Sequence, residues 1–183
     1  MIPPSFLVPQ VSQREIVYKG YFDVRVDLLQ SHKGPSMSYT SLDIKVHAAA
    51  VLARTKEGKI IINKEYRHPT GKWLLGCPGG RIDAGESPLK TGQRELQEET
   101  GYTGGKALLM GEVFSLPAVT DQIIYYVFID GVELTHSPEH EPFELIHTEL
   151  KSKEELFLEI KNGAAIDGVL CTALCLAKNL EIL

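Results

Sequence analysis

Glu95, Glu98 and Glu99 stand close together in the run from Gly80 to Tyr102, GRIDAGESPLKTGQRELQEETGY. On a helix, at about 100° per residue, their three carboxylates share one face. Like charges so placed repel one another and destabilise an isolated helix unless a cation sits among them. Hard carboxylate oxygens in this arrangement suit Mg2+ or Mn2+, which take few carboxylates and keep waters or substrate phosphates as their other ligands. Just upstream, Gly79-Gly80 lets the backbone approach a ligand closely and can present a bare carbonyl oxygen. Leu96 falls on the opposite side of the helix and is expected in the core. The other reading of these glutamates is a solvated acidic face with an ordinary Arg94 ion pair. For Glu98-Glu99 taken alone, that reading is the stronger one.

The elements that must hold these groups are readable in outline. Ser87 is a good N-cap, Pro88 fits the first helical position and Gly101 follows the last turn, which predicts a helix over Pro88 to Thr100. Phe22, Val24, Val26 and Leu28 alternate with polar residues, as do Leu42, Ile44 and Val46, and each series predicts a strand with one wet face. Gly34-Pro35 between them signals a loop. Residues 1–46 therefore read as a β-hairpin arm, and residues 47–183 as the main domain. Within that domain the expected strands are Ala48 to Ala53, Lys59 to Tyr66 after the Glu57-Gly58 turn, Ile123 to Ile129 and Phe143 to Leu150. The expected helices are Lys151 to Lys161, stopped by Asn162-Gly163, and Ile166 to Leu180. Mixed strands with helices outside them imply an α+β layered domain without internal repeats.

Composition narrows the function. A chain of 183 residues with 43% hydrophobic and 23% charged residues can bury a core of its own. A net charge of −5 argues against a nucleic-acid partner, which needs a clustered basic surface. It leaves a small anionic substrate open, since a metal ion and a few cations can neutralise it locally. The start of the chain, Met1 to Val11, holds three prolines and lacks the pattern of a signal peptide. No apolar run is long enough to span a bilayer. Three cysteines, Cys77, Cys171 and Cys175, suggest reduced thiols and a cytoplasmic location. Cys171 and Cys175, four apart, either pair on a metal or sit in the core; lacking further ligands at zinc-like spacing, the core is expected.

The spacing Gly80-x5-Glu86-x7-Arg94-Glu95-Leu96-x-Glu98-Glu99-x-Gly101-Tyr102 resembles the Nudix box at every fixed position. Only Tyr102 departs from the usual aliphatic residue, and an aromatic ring there is expected to pack. Much of the remaining chain is similar to the ADP-ribose pyrophosphatase branch of that family. The run Glu65-Tyr66-Arg67-His68-Pro69, then Lys72-Trp73-Leu74-Leu75 and Pro78-Gly79-Gly80-Arg81-Ile82-Asp83, resembles the branch's approach to the box. Ser115-Leu116-Pro117-Ala118-Val119-Thr120-Asp121 resembles its downstream proline loop. Two residues depart: Gly76 stands where the branch often has an acidic residue, and Ala118 where a glycine commonly follows the proline.

The resemblance implies a mixed β-sheet sandwiched between helices, and it implies roles. Glu95 and Glu99 become metal ligands, Glu98 a third ligand or a catalytic water-orienting group, and the Gly79 carbonyl a backbone ligand. Glu86 and Arg94 brace the loop against the helix. An acidic loop, Ser137 to Phe143, supplies Glu139 as candidate base and Glu141 as a further ligand or alternative base; its other reading is a solvated surface loop. Arg67, Arg81 and Asp121 become candidates for substrate binding, with a structural ion pair as the alternative for Arg67. Trp73 either stacks on a base or packs in the core against the box, and the core is expected. The implied reaction is Mg2+-dependent hydrolysis of a nucleoside diphosphate sugar, ADP-ribose above all, with Mn2+ able to substitute. The competing readings are the same chemistry on GDP-mannose or a dinucleoside polyphosphate, a domain that senses a nucleotide without turnover, and a purely structural or interaction module. The resemblance also implies a homodimer in which the N-terminal strands meet the partner.

Overall fold

A computed structural model describes residues 8–32 and 34–183 of the chain. The expectation for Met1 to Val11 falls largely outside these residues. The chain divides into two compact units. One contains the described residues up to Lys45 together with Leu116–Gln122; the other contains Val46–Ser115 and Ile123–Leu183.

The first unit is a three-stranded antiparallel sheet of β1 (Gln10–Tyr18), β2 (Asp23–Gln30) and β3 (Ser36–Asp43), in that order. The hairpin expectation was one strand short. β1 escapes pattern reading because its register against β2 shifts at Val11/Gln13 and again at Ile16/Tyr18, and each irregularity resets the alternation of faces. β3 lies earlier than the Leu42 to Val46 series suggested. It ends at Asp43, and Lys45 takes a positive φ, so Ile44 and Val46 alternate outside any strand. Polar pairs tie this sheet: Arg14 grips Asp27 through Nε at 2.7 Å and Nη2 at 2.8 Å, and Lys45 reaches Asp23 at 3.1 Å. The proline loop belongs here too, since Leu42 N–H donates to Val119 O at 2.7 Å and the Tyr39 hydroxyl donates to Ala118 O at 2.6 Å.

The second unit is built on a mixed sheet. Its strands are β4 (Ala48–Thr55), β5 (Ile60–Arg67), β6 (Lys72–Gly76), β7 (Gly79–Arg81), β8 (Tyr102–Phe114), β9 (Ile123–Leu134) and β10 (Ile146–Lys151); its helices are α1 (Pro88–Thr100), α2 (Lys153–Lys161) and α3 (Gly168–Asn179). The sheet runs β10-β5-β4-β9-β8, with β4 and β9 parallel and the other neighbours antiparallel. Helices cover both faces. Leu96 of α1 packs with Val51, Ala53, Ile61, Val127, Ile129 and Val132 on one side. Leu156 of α2 and Leu170, Ala173, Leu174 and Ala177 of α3 pack with Leu52, Ile62 and Tyr126 on the other. This is the expected α+β sandwich. No helix among the described residues is long and apolar enough to cross a membrane.

One feature of the sheet creates room for a site. β4 and β5 pair directly only at Ala53↔Ile61 and Arg54↔Ile60. Beyond that they part like a fork: β4 takes β7 as its neighbour at Ala48 to Ala50, while β5 takes β6 from Asn63 to Arg67. The chain signals β8 poorly, because Gly104, Gly105 and Gly111 read as turns; in the fold they bring positive φ angles and a register shift near Gly111 inside a long strand.

Candidate active site

Helix α1 is locked in place at both ends. The Ser87 hydroxyl accepts from Lys90 N–H at 3.4 Å, and Gly101, at φ 76°, closes the helix with its N–H on Gln97 O at 2.8 Å. A Cβ at position 101 would run into the His136 carbonyl, so the close takes glycine alone. Along the helix, a Cβ at Gly92 would stand 3.1 to 3.3 Å from Val51 and Val127, so α1 lies close on the sheet. Leu96, 1% exposed, anchors that contact, and its burial is worth ~2 kcal/mol. Tyr102 packs on the same cluster.

That placement carries two glutamates to the glycines of β7. The Glu95 carboxylate rests directly on Gly80, where any Cβ would overlap its oxygens. Glu99, one turn on and 7% exposed, reaches the fork. Its Oε2 accepts the Gly79 N–H at 3.0 Å and the Asn63 Nδ2–H at 2.8 Å. Burial pushes the Glu99 carboxyl up to about 9; the Gly79 N–H opposes that shift, and the charges of Glu95, Glu65 and Glu144 add to it. Glu95 is raised chiefly by burial, against the pull of Arg94 and with the push of Glu98 and Glu144. Glu65 is raised by burial as well, with Arg67 opposing and Asp167 and Glu144 adding.

Several carboxylates sharing a water-poor place cannot all ionise without a counter-charge. An oxygen-only donor set beside bare glycine backbone fits a hard divalent cation, with Glu95 and Glu99 as the side chains to hold it. The three box glutamates, all on α1, do not converge on one point. No group of three or more His, Cys, Asp or Glu side chains among the described residues stands poised around a metal position. Arg94 is the reason. Its Nη1 donates to Glu95 Oε1 at 2.8 Å and to Glu98 Oε2 at 2.9 Å, drawing Glu98 outward to a half-exposed position, while Glu99 turns into the fork.

Arg94 also binds the loop before the helix. Its Nη2 donates to Arg81 O at 3.0 Å and to Glu86 Oε2 at 3.1 Å, and its Nε to Glu86 Oε1 at 3.3 Å. The Thr91 hydroxyl adds a 2.7 Å bond to Glu86. Helix, loop and β7 are thus fastened through one guanidinium.

Arg67, at the end of β5, pairs with Glu65 and lies 3.8 Å from Asp167. Asp167 caps α3 by accepting Leu170 N–H at 2.7 Å, and its carboxylate fills the space over Gly76, where a Cβ would lie 2.9 Å from it. Arg81 is exposed on β7, and Asp121 is exposed within the first unit. The acidic loop is fastened to α1 by its backbone and one ring: Glu139 N–H donates to Glu98 O at 2.7 Å, and His140 Nε2 meets Glu99 O at 2.8 Å. Within the loop, Glu141 N–H donates to the Glu144 carboxylate at 2.9 Å.

Sequence reading passed over Glu65, Glu144 and Asn63. Asn63 could have been found as the one polar break in Ile60-Ile61-Ile62-Asn63. Two core expectations fail. Trp73 is 47% exposed, because β6 is buried only at its end, and its ring tilts against Tyr66 at 5.9 Å. Cys171 and Cys175 are exposed, because the buried stripe of α3 is Leu170, Ala173, Leu174 and Ala177 and both cysteines fall beside it; Cys77 alone is buried. A cavity of about 770 Å³ lies at the other end of β4, lined by Arg54, Lys106, Phe128 and Ile182 among others, and none of the candidate residues borders it.

Residues 44–171 match the family model described as the NUDIX domain. The chain is 42% identical over 78 residues to the ADP-ribose pyrophosphatase of Bacillus subtilis, a stretch covering 43% of this chain and 42% of that protein. It is 31% identical over 130 residues to the ADP-ribose pyrophosphatase of Mycobacterium tuberculosis, covering 67% of this chain and 63% of the other. The matched stretches thus span less than two thirds of either relative. Among solved structures, one described as an ADP compounds hydrolase superposes with a TM-score of 0.86 over 96% of this chain and 95% of its own, at 20% identity, which is a likeness of fold.

Proposed function

This chain belongs to the Nudix family, and from that premise we propose that it hydrolyses the diphosphate of ADP-ribose or a related nucleoside diphosphate sugar with the aid of a divalent metal ion. The observation that carries the reading is the seating of Glu95 and Glu99 on the consecutive glycines Gly80 and Gly79, with Glu99 out of water and held by neutral N–H donors. The similarity to two ADP-ribose pyrophosphatases supports the substrate class.

In this reading Glu95, Glu99 and the Gly79 carbonyl hold Mg2+, with Mn2+ able to replace it, and Glu98 is a third ligand or orients water. Bound there, the ion supplies charge neutralisation at the phosphate oxygens and a lowered pKa for a coordinated water. Glu86 and Arg94 keep the ligand-bearing helix and loop in register, a supporting role of the kind that tunes metal sites. Arg67 and Arg81 offer guanidinium forks to phosphate oxygens. Asp121 is carried as a separate substrate-binding candidate. A water oxygen bonds to one phosphorus, the bond from that phosphorus to the bridging oxygen breaks, and the water proton passes to a loop carboxylate. The products are a nucleoside monophosphate and a sugar phosphate. Glu139 and Glu141 are candidates for the base, and Glu144, whose carboxylate accepts the Glu141 N–H in the same loop, joins them.

The same proposal includes a homodimer formed through residues 1–46. Its support is a sheet with little core of its own that leaves Val11, Val17, Tyr18 and Met37 exposed, more apolar surface than a small isolated sheet holds well. A monomeric mass in solution at full activity would remove this part. A cytoplasmic location rests on the three unpaired cysteines.

The test is a hydrolysis panel of ADP-ribose, GDP-mannose and a dinucleoside polyphosphate, with products identified by mass. The expected result is AMP and ribose 5-phosphate from ADP-ribose, only when Mg2+ or Mn2+ is present. Binding without turnover, or faster cleavage of another member of the panel, overturns it.

A further inference from the structure

Asn63 has no part in the roles assigned above. It follows three isoleucines in β5 and is 1% exposed, on the strand face where Ile61 joins the core beneath α1. An amide at that depth is tolerated only if its polar ends are bonded. Both ends are. Nδ2 donates to Glu99 Oε2 at 2.8 Å, and Oδ1 accepts the Thr148 hydroxyl at 3.1 Å. Thr148 stands directly opposite on β10, in register with Asn63.

This relay has one sense. The Thr148 hydroxyl, donating to Oδ1, turns the NH2 end of the amide towards Glu99, which is the end an ionised, cation-holding carboxylate needs because it only accepts. The Gly79 N–H lands on the same oxygen at 3.0 Å. Two donors on Oε2, one from each prong of the fork, set the rotation of the carboxylate and leave Oε1 as the oxygen neither of them uses. A leucine at position 63 would have the same branching and suit the surrounding apolar cluster; what it lacks is the donor. The asparagine therefore answers to Glu99, not to packing.

We propose that Asn63, held by Thr148, is a positioning residue that orients the Glu99 carboxylate for a divalent cation. The proposal rests on the metal-holding role given to Glu99 above. Residues that orient a ligand in this way change metal affinity by about 10- to 100-fold when removed.

The experiment is Mn2+ binding to the full chain, stripped of metal, measured by titration calorimetry for the wild type, Asn63→Leu and Thr148→Val. Thermal unfolding of each protein is recorded with and without Mn2+. The expected result is wild-type binding, a loss of about tenfold or more in affinity for Asn63→Leu, and a smaller loss in the same direction for Thr148→Val. Activity of Asn63→Leu should recover towards wild type as Mn2+ is raised, with KM for ADP-ribose little changed. If both variants bind Mn2+ as the wild type does, while only their metal-free melting temperatures fall, Asn63 is structural and the proposal is overturned. Should Asn63→Leu fail to fold, Thr148→Val decides alone. A wild type that binds no Mn2+ defeats the metal reading itself, a result distinct from wild-type binding that both variants retain.

Discussion

Two glutamate-rich regions of the second unit are built on opposite plans. In α1, Glu95 and Glu99 are drawn out of water onto the glycines of β7 and held by N–H donors from Arg94, Gly79 and Asn63. In the Ser137 to Leu145 segment the glutamates are exposed or nearly so, and what fastens the segment to α1 is a backbone bond from Glu139 and the His140 ring. The first arrangement is expensive in the absence of a cation, since burial opposes each charge. The second costs little, because Glu139 and Glu141 keep their side chains in water. The difference teaches a division of labour. In the proposed function, the rigid, desolvated carboxylates would bind the cation, and the water-exposed ones would take the moving proton.

Breaking the buried half of this comparison should have the largest effect. Glu99→Gln, and Glu95→Gln beside it, should each lower kcat by about a thousandfold, the equivalent of several kcal/mol of lost charge stabilisation. The proteins should stay folded and lose the rise in melting temperature given by Mg2+ to the wild type. Near wild-type turnover in Glu99→Gln would end the assignment.

The exposed half is sharpened by glutamine at Glu139, Glu141 and Glu144 singly. The residue that acts as base should cost about a hundredfold in kcat. Metal-free stability should be unchanged at Glu139 and Glu141, whose side chains are exposed, while Glu144→Gln also alters the acceptor of the Glu141 N–H. Equal, small effects at the three positions would mean that the proton leaves by another route.

Arg94→Lys probes the fastening between helix and loop. It keeps the charge and loses the fork that spans Glu86, Glu95 and Glu98. About a tenfold loss of metal affinity is expected, and an unchanged affinity would show the clamp to be idle.

Metal-free stability should also depend on pH. Without metal, the folded protein holds a proton on Glu99 up to about 9, whereas the unfolded chain releases it near the ordinary carboxylate value. The folded state therefore binds more protons across that interval, and stability should fall as pH rises from about 4.5 to about 9. Saturating Mg2+ should flatten the slope by favouring the ionised carboxylate. A metal-free melting temperature that climbs steadily from pH 5 to pH 9 would contradict the burial described for Glu99.

What was legible in the sequence follows the same line between rigid and free. Helix α1 could be read to its ends because Ser87, Pro88 and Gly101 punctuate it chemically, and the box glutamates could be read because their spacing is tied to the helix period. β8 and β1 could not be read: glycines and register shifts hide the alternation on which strand reading depends. Asn63 and Glu65 escaped because their meaning lies across the sheet, in what stands opposite. Glu144 escaped because nothing in Pro142-Phe143-Glu144 says which way the loop turns. Trp73 and the two cysteines of α3 were misplaced by treating residue type as burial, when the end of β6 and the stripe of α3 decide it.

The most direct measurement is a crystal of this protein soaked in Mn2+, with diffraction recorded at the manganese edge. An anomalous peak is expected within about 2.0 to 2.3 Å of carboxylate oxygens from both Glu95 and Glu99, beside the backbone of Gly79. A fully bound ion elsewhere, with both side chains unmoved and unliganded, would contradict it.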